Sequence, residues 1–247
     1  MNDWAPLRKA TQARIGLRRA GAAVSTRDLL EFQLAHAQAR DAVWHSWDSA
    51  ACAVELEQRE IKTLQVTSAA PDRQTYLTRP DLGRRLDAES LVQLTAAAEE
   101  PPPDVALILS DGLSATAVQQ HGVATIEAML TALKGASLRT SPVVLVERGR
   151  VGLSDEIGHA LHARIAVIVL GERPGLSAAD SLGIYLTHSP APGNTDAQRN
   201  CLSNVRTPGG LPPQLAAARL VALLRRSLAL GLSGVALKDD AAALLTP

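Results

Sequence analysis

A chain of 247 residues, 46% hydrophobic and 20% charged, can bury one large or two modest cores. Its 25 Lys+Arg balance 25 Asp+Glu, which excludes the whole-molecule field that would gather nucleic acid or anionic lipid. Aromatic residues (Trp 3, Tyr 2, Phe 1) are too few for base stacking and leave the interior to Leu, Val, Ile and Ala.

Residues 1–25 read as a basic arm. Arg8, Lys9, Arg14, Arg18 and Arg19 are interspersed with small residues, a composition poor in core formers. Such an arm is either a solvated leader or a strap that orders against an acidic partner surface. The N-terminus has no apolar stretch of the secretory kind, and no run reaches the ~20 apolar residues of a membrane helix. Cys52 and Cys201 are far apart and belong to no CxxC or His/Cys cluster, so neither a disulfide framework nor a structural zinc site is expected. These features point to a reducing, cytoplasmic compartment.

Residues 26–103 are expected to form a smaller, mainly helical region. Thr26 is placed as the cap of a helix through TRDLLEFQLAHAQARDAVWHSW, with Asp28 in its first turn and Leu30, Leu34 and Ala37 at helical spacing. A second helix follows in SAACAVELEQR, residues 49–59. Residues 67–86 are polar and interrupted by Pro71, Pro80 and Gly83, and read as a long loop. Asp87 opens a short helix that Glu99-Glu100-Pro101-Pro102-Pro103 terminates, because proline cannot donate the helical hydrogen bond.

From Asp104 to the end the pattern is regular. DVALILSDGLS, SPVVLVERG and RIAVIVLGERPG are short β-branched runs, separated by helices expected over 114–134 and 154–162. That alternation defines βαβ units: an α/β domain, residues 104–247, with a mostly parallel, Rossmann-like sheet flanked by helices. LGIYLTHSP adds a fourth strand, and a last helix runs through LPPQLAAARLVALLRRSLALG with Pro212-Pro213 in its first turn.

Ligands of open parallel sheets bind beyond the carboxyl ends of the strands. Here those ends carry Ser110-Asp111-Gly112, Glu147-Arg148-Gly149-Arg150-Val151 and Glu172-Arg173-Pro174-Gly175. One such loop means little, but three on one edge suit a bulky polar ligand. The sequence has no GxGxxG after the first strand, no GxxxxGK[ST] and no GxSxG, which disfavours ordinary dinucleotide, nucleotide and serine-hydrolase chemistry. Ser114 reads as a helix cap. His159 and His162 are three apart but lack a third ligand, and Asp155-Glu156 suit a helix start. No catalytic residue and no metal ligand is assigned. Residues 180–206 hold Asp196, Arg199, Asn200, Cys201, Ser203, Asn204 and Arg206 in a short span, a polar density expected of a site.

With GERPGLSAADSLGIYLT and RNCLSN in that order, the chain resembles the small subunit of adenosylcobalamin-dependent ethanolamine ammonia-lyase. The resemblance extends to FQLAHAQARDAV (32–43), RPDLGRRL (79–86), DGLSA (111–115) and SGVALKDD (233–240). It implies an obligate hetero-oligomer in which a large catalytic subunit binds most of the ethanolamine and this chain covers part of the adenosylcobalamin. The reaction so implied is a radical conversion to acetaldehyde and ammonia. The cofactor contacts carried over are Val151 in RVGLSDE, Glu172 in GERPGL and Cys201 in RNCLSN. Glu172 would accept hydrogen bonds from the corrin amides, Gly171 and Gly175 would allow close backbone approach, and Arg173 would contact the cofactor or pair with Asp180. DxHxxG is absent, in keeping with a cofactor that keeps its own lower base. The implied setting is the bacterial cytoplasm, open or inside a microcompartment, without nucleic acid or membrane. Two other classes compete: a stand-alone small-molecule enzyme, which needs a reactive centre of its own, and a non-catalytic interaction module, which needs no corrin.

Overall fold

The structure is a computed structural model and describes residues 4–11 and 13–237. Residues 1–3 and 12 of the basic arm, and Lys238, Asp239 and Asp240 of SGVALKDD, lie outside the described residues.

The three expected β-branched runs are strands, β4 (Val105–Ser110), β5 (Val143–Glu147) and β6 (Ile165–Gly171). Every residue of β4 and β6 is buried, because a parallel sheet is covered on both faces. The helices between them are α6 (Ala115–Gly135) and α7 (Leu153–Ala160), and α8 (Pro213–Leu230) closes the domain. Ser114 caps α6 as expected, its side chain accepting from the Ala117 amide. His162 lies beyond the end of α7 in left-handed backbone (φ 53°), so the two histidines do not share a helix.

The sheet has six strands, in the order β3-β5-β4-β6-β7-β8. Its first four are parallel, with Val105 opposite Ile165 and Ile108 opposite Val144. The edge strand β3 (Thr63–Thr67) comes from the N-terminal segment, so that segment shares the sheet. LGIYLTH forms β7 (Leu182–His188), but antiparallel to β6. Residues 172–181 are too short for the crossover of about a dozen residues that a parallel return requires. The polar span after it contains an unforeseen strand, β8 (Arg199–Val205), antiparallel to β7. It shows only Leu202 and Val205 to the core and therefore has no apolar run.

Two cores follow from the period of two along each strand. Val105, Leu107 and Leu109 meet Ile126, Met129 and Leu133 of α6 and Leu220 and Leu224 of α8. Ala106 and Ile108 meet Leu153 and Ile157 of α7 on the opposite face. Among the described residues Trp47 and Tyr76 are the only buried aromatic side chains, so the filling is aliphatic as the composition requires.

The arm carries a short helix, α1 (Ala5–Ala10), and a small hairpin of β1 (Arg19–Ala20) and β2 (Ala23–Val24), all exposed where described. Helix α2 (Thr26–Trp44) begins where expected, but Ser25 is its cap, accepting from the Asp28 amide and donating to the Asp28 carboxylate. Its apolar stripe is turned outward: Leu30 and Leu34 are 59% and 60% exposed, and the helix seats on Ala35 and Ala42. Helix α3 (Ser49–Glu57) packs into the first core. Residues 67–86 are not a plain loop. Asp72 caps helix α4 (Arg73–Thr78), and a 3₁₀ turn spans Leu82–Arg84; the prolines taken as breakers lie outside both. Helix α5 (Ala88–Ala96) starts at Asp87 as expected. No helix among the described residues is long and apolar enough to cross a membrane.

Candidate functional site

The carboxyl ends of β4, β5 and β6 gather three loops, and the first of them is used internally. Asp111 is buried, accepting from the Arg148 amide at 2.5 Å and pairing with Arg73 at 3.1 Å. Burial lifts its carboxyl to about 6, against the pull of Arg73 and of the Arg148 hydrogen bond. Gly112 and Gly171 close the gap between β4 and β6. A Cβ on Gly171 would lie 2.1 Å from the Ser114 carbonyl, and one on Gly112 (φ +52°) 2.4 Å from the Gly171 carbonyl. Gly171 is therefore required by the chain's own packing rather than by an approaching ligand.

The second loop turns at Gly149 and presents Arg150-Val151-Gly152 ahead of α7. The Arg150 amide donates to the Gly83 carbonyl at 2.7 Å, tying this turn to the RPDLGRRL segment. The Arg150 guanidinium lies 4.5 Å over the ring of Tyr76, whose hydroxyl donates to the Gly149 carbonyl. Val151 packs against the second core while bordering open space.

Glu172, at the end of β6, ties three strand ends together. Its carboxylate accepts from Ser181 Oγ at 2.7 Å, from the Ser203 hydroxyl and from the Asn204 amide at 3.2 Å. These three donors take up most of the carboxylate's capacity, so few acceptor sites remain for a ligand amide. Gly183 makes room, since a Cβ there would come within 3.1 Å of Glu172 Oε1. Asp180 pairs with Arg206 at 3.3 Å and His121 at 3.4 Å; Arg173 has no part in that cluster and faces the cavity.

Cys201 sits on β8 opposite Tyr185 of β7. It is solvent-accessible, yet desolvation holds its thiol above the ordinary value; the Tyr185 hydrogen bond lowers it and the Glu172 charge raises it. Burial likewise raises Tyr185. Beside them Arg199 makes a two-pronged pair with Asp155, Nη1 to Oδ1 at 2.8 Å and Nη2 to Oδ2 at 2.6 Å. Asp155 therefore does more than favour the helix dipole, and Glu156 accepts from the Leu86 amide.

These residues border one open cavity of about 670 Å³, and Val151, Glu172 and Cys201 all line it. Its wall mixes Leu113, Leu170 and Tyr185 with Arg84, Arg150 and Arg173. Among the described residues there is no group of three His, Cys, Asp or Glu placed to hold a metal ion. The cavity offers shape, hydrogen bonds and charge.

Residues 1–238 match the family described as ethanolamine ammonia-lyase light chain (EutC). The chain belongs to this family. The ethanolamine ammonia-lyase small subunit of Pseudomonas aeruginosa strain LESB58 is 51% identical over 97% of this chain and 88% of its own length. Those of Azotobacter vinelandii and Ralstonia nicotianae are 50% and 49% identical, over 97% of this chain and 89% of their own lengths. In this light-chain fold, sequence reasoning missed Tyr76, Arg84 and Tyr185 as cavity residues, whereas Arg199 lay in the span singled out for its polar density. RPDLGRRL signalled Arg84 through its likeness to the family, and alternation along LGIYLTH put Tyr185 on the face opposite its core residues. Nothing local signalled Tyr76 or Asp155, whose roles arise from contacts across the fold.

Proposed function

We propose that this chain is the small subunit of an ethanolamine ammonia-lyase and that, assembled with a large catalytic subunit, it holds adenosylcobalamin against Val151, Glu172 and Cys201. The observation carrying this reading is that three segments distant in sequence border a single cavity at the strand ends. The cavity suits such a cofactor: its apolar patches can face a macrocycle and its polar groups can meet peripheral amides. Its 670 Å³ is the size of a pocket for a drug-sized ligand, and it is open, so a corrin would be covered along one edge only.

When bound, the cofactor supplies a radical by breaking its cobalt–carbon bond. This chain's share is to bind, orient and shield. Val151 gives a compact apolar contact. Glu172 holds the ends of β6, β7 and β8 in register and keeps its remaining acceptor capacity for an amide. Cys201 and Tyr185 offer a weakly polar wall, whose burial disfavours ionisation of both groups. Ethanolamine is held mainly by the large subunit, and the setting is the bacterial cytoplasm, open or within a microcompartment.

The test is reconstitution. The chain is mixed with the large subunit of the same organism and dialysed against adenosylcobalamin, and ammonia release from ethanolamine is then followed. Retained corrin colour and ammonia release are expected from the mixture and from neither polypeptide alone. A large subunit as active without this chain would reject the reading.

A further inference from the structure

The chain is neutral overall, but the cavity is not. Arg84, Arg150 and Arg173 stand around it. Among the described residues the side chains of Arg84 and Arg173 make no hydrogen bond or ion pair. Arg150 donates to the Tyr76 carbonyl and stacks on the Tyr76 ring, and has no carboxylate partner. The two acidic residues of the lining reduce this charge without cancelling it, and among the described residues neither forms an ion pair with Arg84, Arg150 or Arg173. Glu172 already accepts three hydrogen bonds, and Asp196 is turned toward Arg199 at 3.4 Å.

Arg150 is held by its stack on Tyr76 and by Gly83, where an added Cβ would come within 3.0 Å of Arg150 Cγ, while Arg84 and Arg173 are exposed, Arg84 Cγ lying beside Gly152 at ordinary contact distance. Arg84 and Arg150 thus flank the Val151-Gly152 turn, with the Gly83 to Arg150 backbone hydrogen bond between them. Arg173 extends from the Glu172 turn on the other loop. Unpaired guanidiniums lining one concave wall focus a positive potential, and their planar forks match the oxygens of a phosphate. Neutral amides around a corrin would not call for such a field.

We infer that Arg84, Arg150 and Arg173 form a phosphodiester subsite, which takes the phosphate joining the corrin side chain to the cofactor's lower nucleotide. This rests on the cobalamin reading above and adds to it which end of the cofactor this chain holds.

The test uses the complex with the large subunit and two probes: cyanocobalamin, which carries the phosphodiester, and dicyanocobinamide, which lacks it. Binding is measured by equilibrium dialysis for Arg84→Gln, Arg173→Gln and the corresponding Lys variants. Each Gln variant is expected to weaken cyanocobalamin roughly 10- to 100-fold, the loss of one charge-assisted hydrogen bond. Cobinamide binding should be unchanged, and the Lys variants should retain most of the cyanocobalamin affinity. Equal loss of both probes, no loss, or Lys variants as weak as Gln variants would overturn the subsite. If the unmodified complex binds cyanocobalamin but not cobinamide, the contrast between Lys and Gln decides alone. An unmodified complex that binds neither probe defeats the cobalamin reading itself.

Discussion

Arg199 and Asp155 are 5% and 4% exposed, and Arg199, held by this pair, borders the cavity. Removing either partner strands the other in a poorly solvated site, at a cost of about 3–5 kcal/mol. The two truncations should differ. After Asp155→Asn, Arg199 keeps Thr187 Oγ1 at 3.0 Å, the Asn194 carbonyl at 3.2 Å and Asp196. After Arg199→Met, Asp155 has lost both of its side-chain donors. The first substitution should therefore fall near the lower limit and the second near the upper. For a domain of 150–250 residues, with Tm moving about 2–4 °C per kcal/mol, the corresponding drops are about 6–12 °C and 10–20 °C. Replacing both at once, Asp155→Leu with Arg199→Met, exchanges a buried ion pair for apolar contacts. It should recover much of the loss, because such exchanges are often neutral. Urea melts of these proteins and of Asp155→Leu alone close a double-mutant cycle and give the coupling energy. Single variants within 1 kcal/mol of the parent, or a double variant as weak as the sum of the singles, would refute this account of the pair.

Other outcomes follow from the same geometry. Glu172→Ala leaves the Ser181 and Ser203 hydroxyls and the Asn204 amide without their acceptor, so it should weaken cobalamin retention by the assembled complex and also lower stability by about 1–3 kcal/mol; unchanged corrin binding in dialysis would remove Glu172 from the site. Gly171→Ala should yield misfolded or insoluble protein, since its Cβ would overlap the Ser114 carbonyl, and a soluble variant with parental Tm would contradict the packing described. The folded-state pKa of Asp111, about 6, lies above the unfolded value, so its contribution to stability is complete below about pH 4 and is lost as the pH rises through 6. The difference between the ordinary carboxyl and one at about 6 amounts to ~3 kcal/mol, and urea midpoints measured from pH 4 to pH 7 should show a fall that Asp111→Asn flattens. Cys201, accessible but with a raised thiol pKa, should react more slowly with iodoacetamide at neutral pH than a free cysteine, and more slowly still once cobalamin is bound to the complex.

Much of the α/β half was legible because β4, β5 and β6 are buried on both faces and so read as unbroken β-branched runs, with Ser114 and Asp87 marking helix starts. β8 was not, since an edge strand burying only Leu202 and Val205 leaves no such run. The reversed direction of β7 was implicit in the brevity of residues 172–181, a constraint of chain length rather than of residue type. Periodicity in α2 revealed an apolar stripe but not which way it faces, and small Ala35 and Ala42 proved to be the seat. At the site, GERPGL marked the turn. That the Glu172 carboxylate is held by residues 181, 203 and 204 depends on three strands meeting, which no local pattern records.

The knot at Glu172 bears on how quickly and how faithfully a ligand can be received. Side chains already clasped to one another have little freedom left to surrender, so this wall is a finished mould before anything enters it. Exchange of a ligand there should be governed by the arrival and departure of the other body covering the opening, with the strand tips standing still throughout.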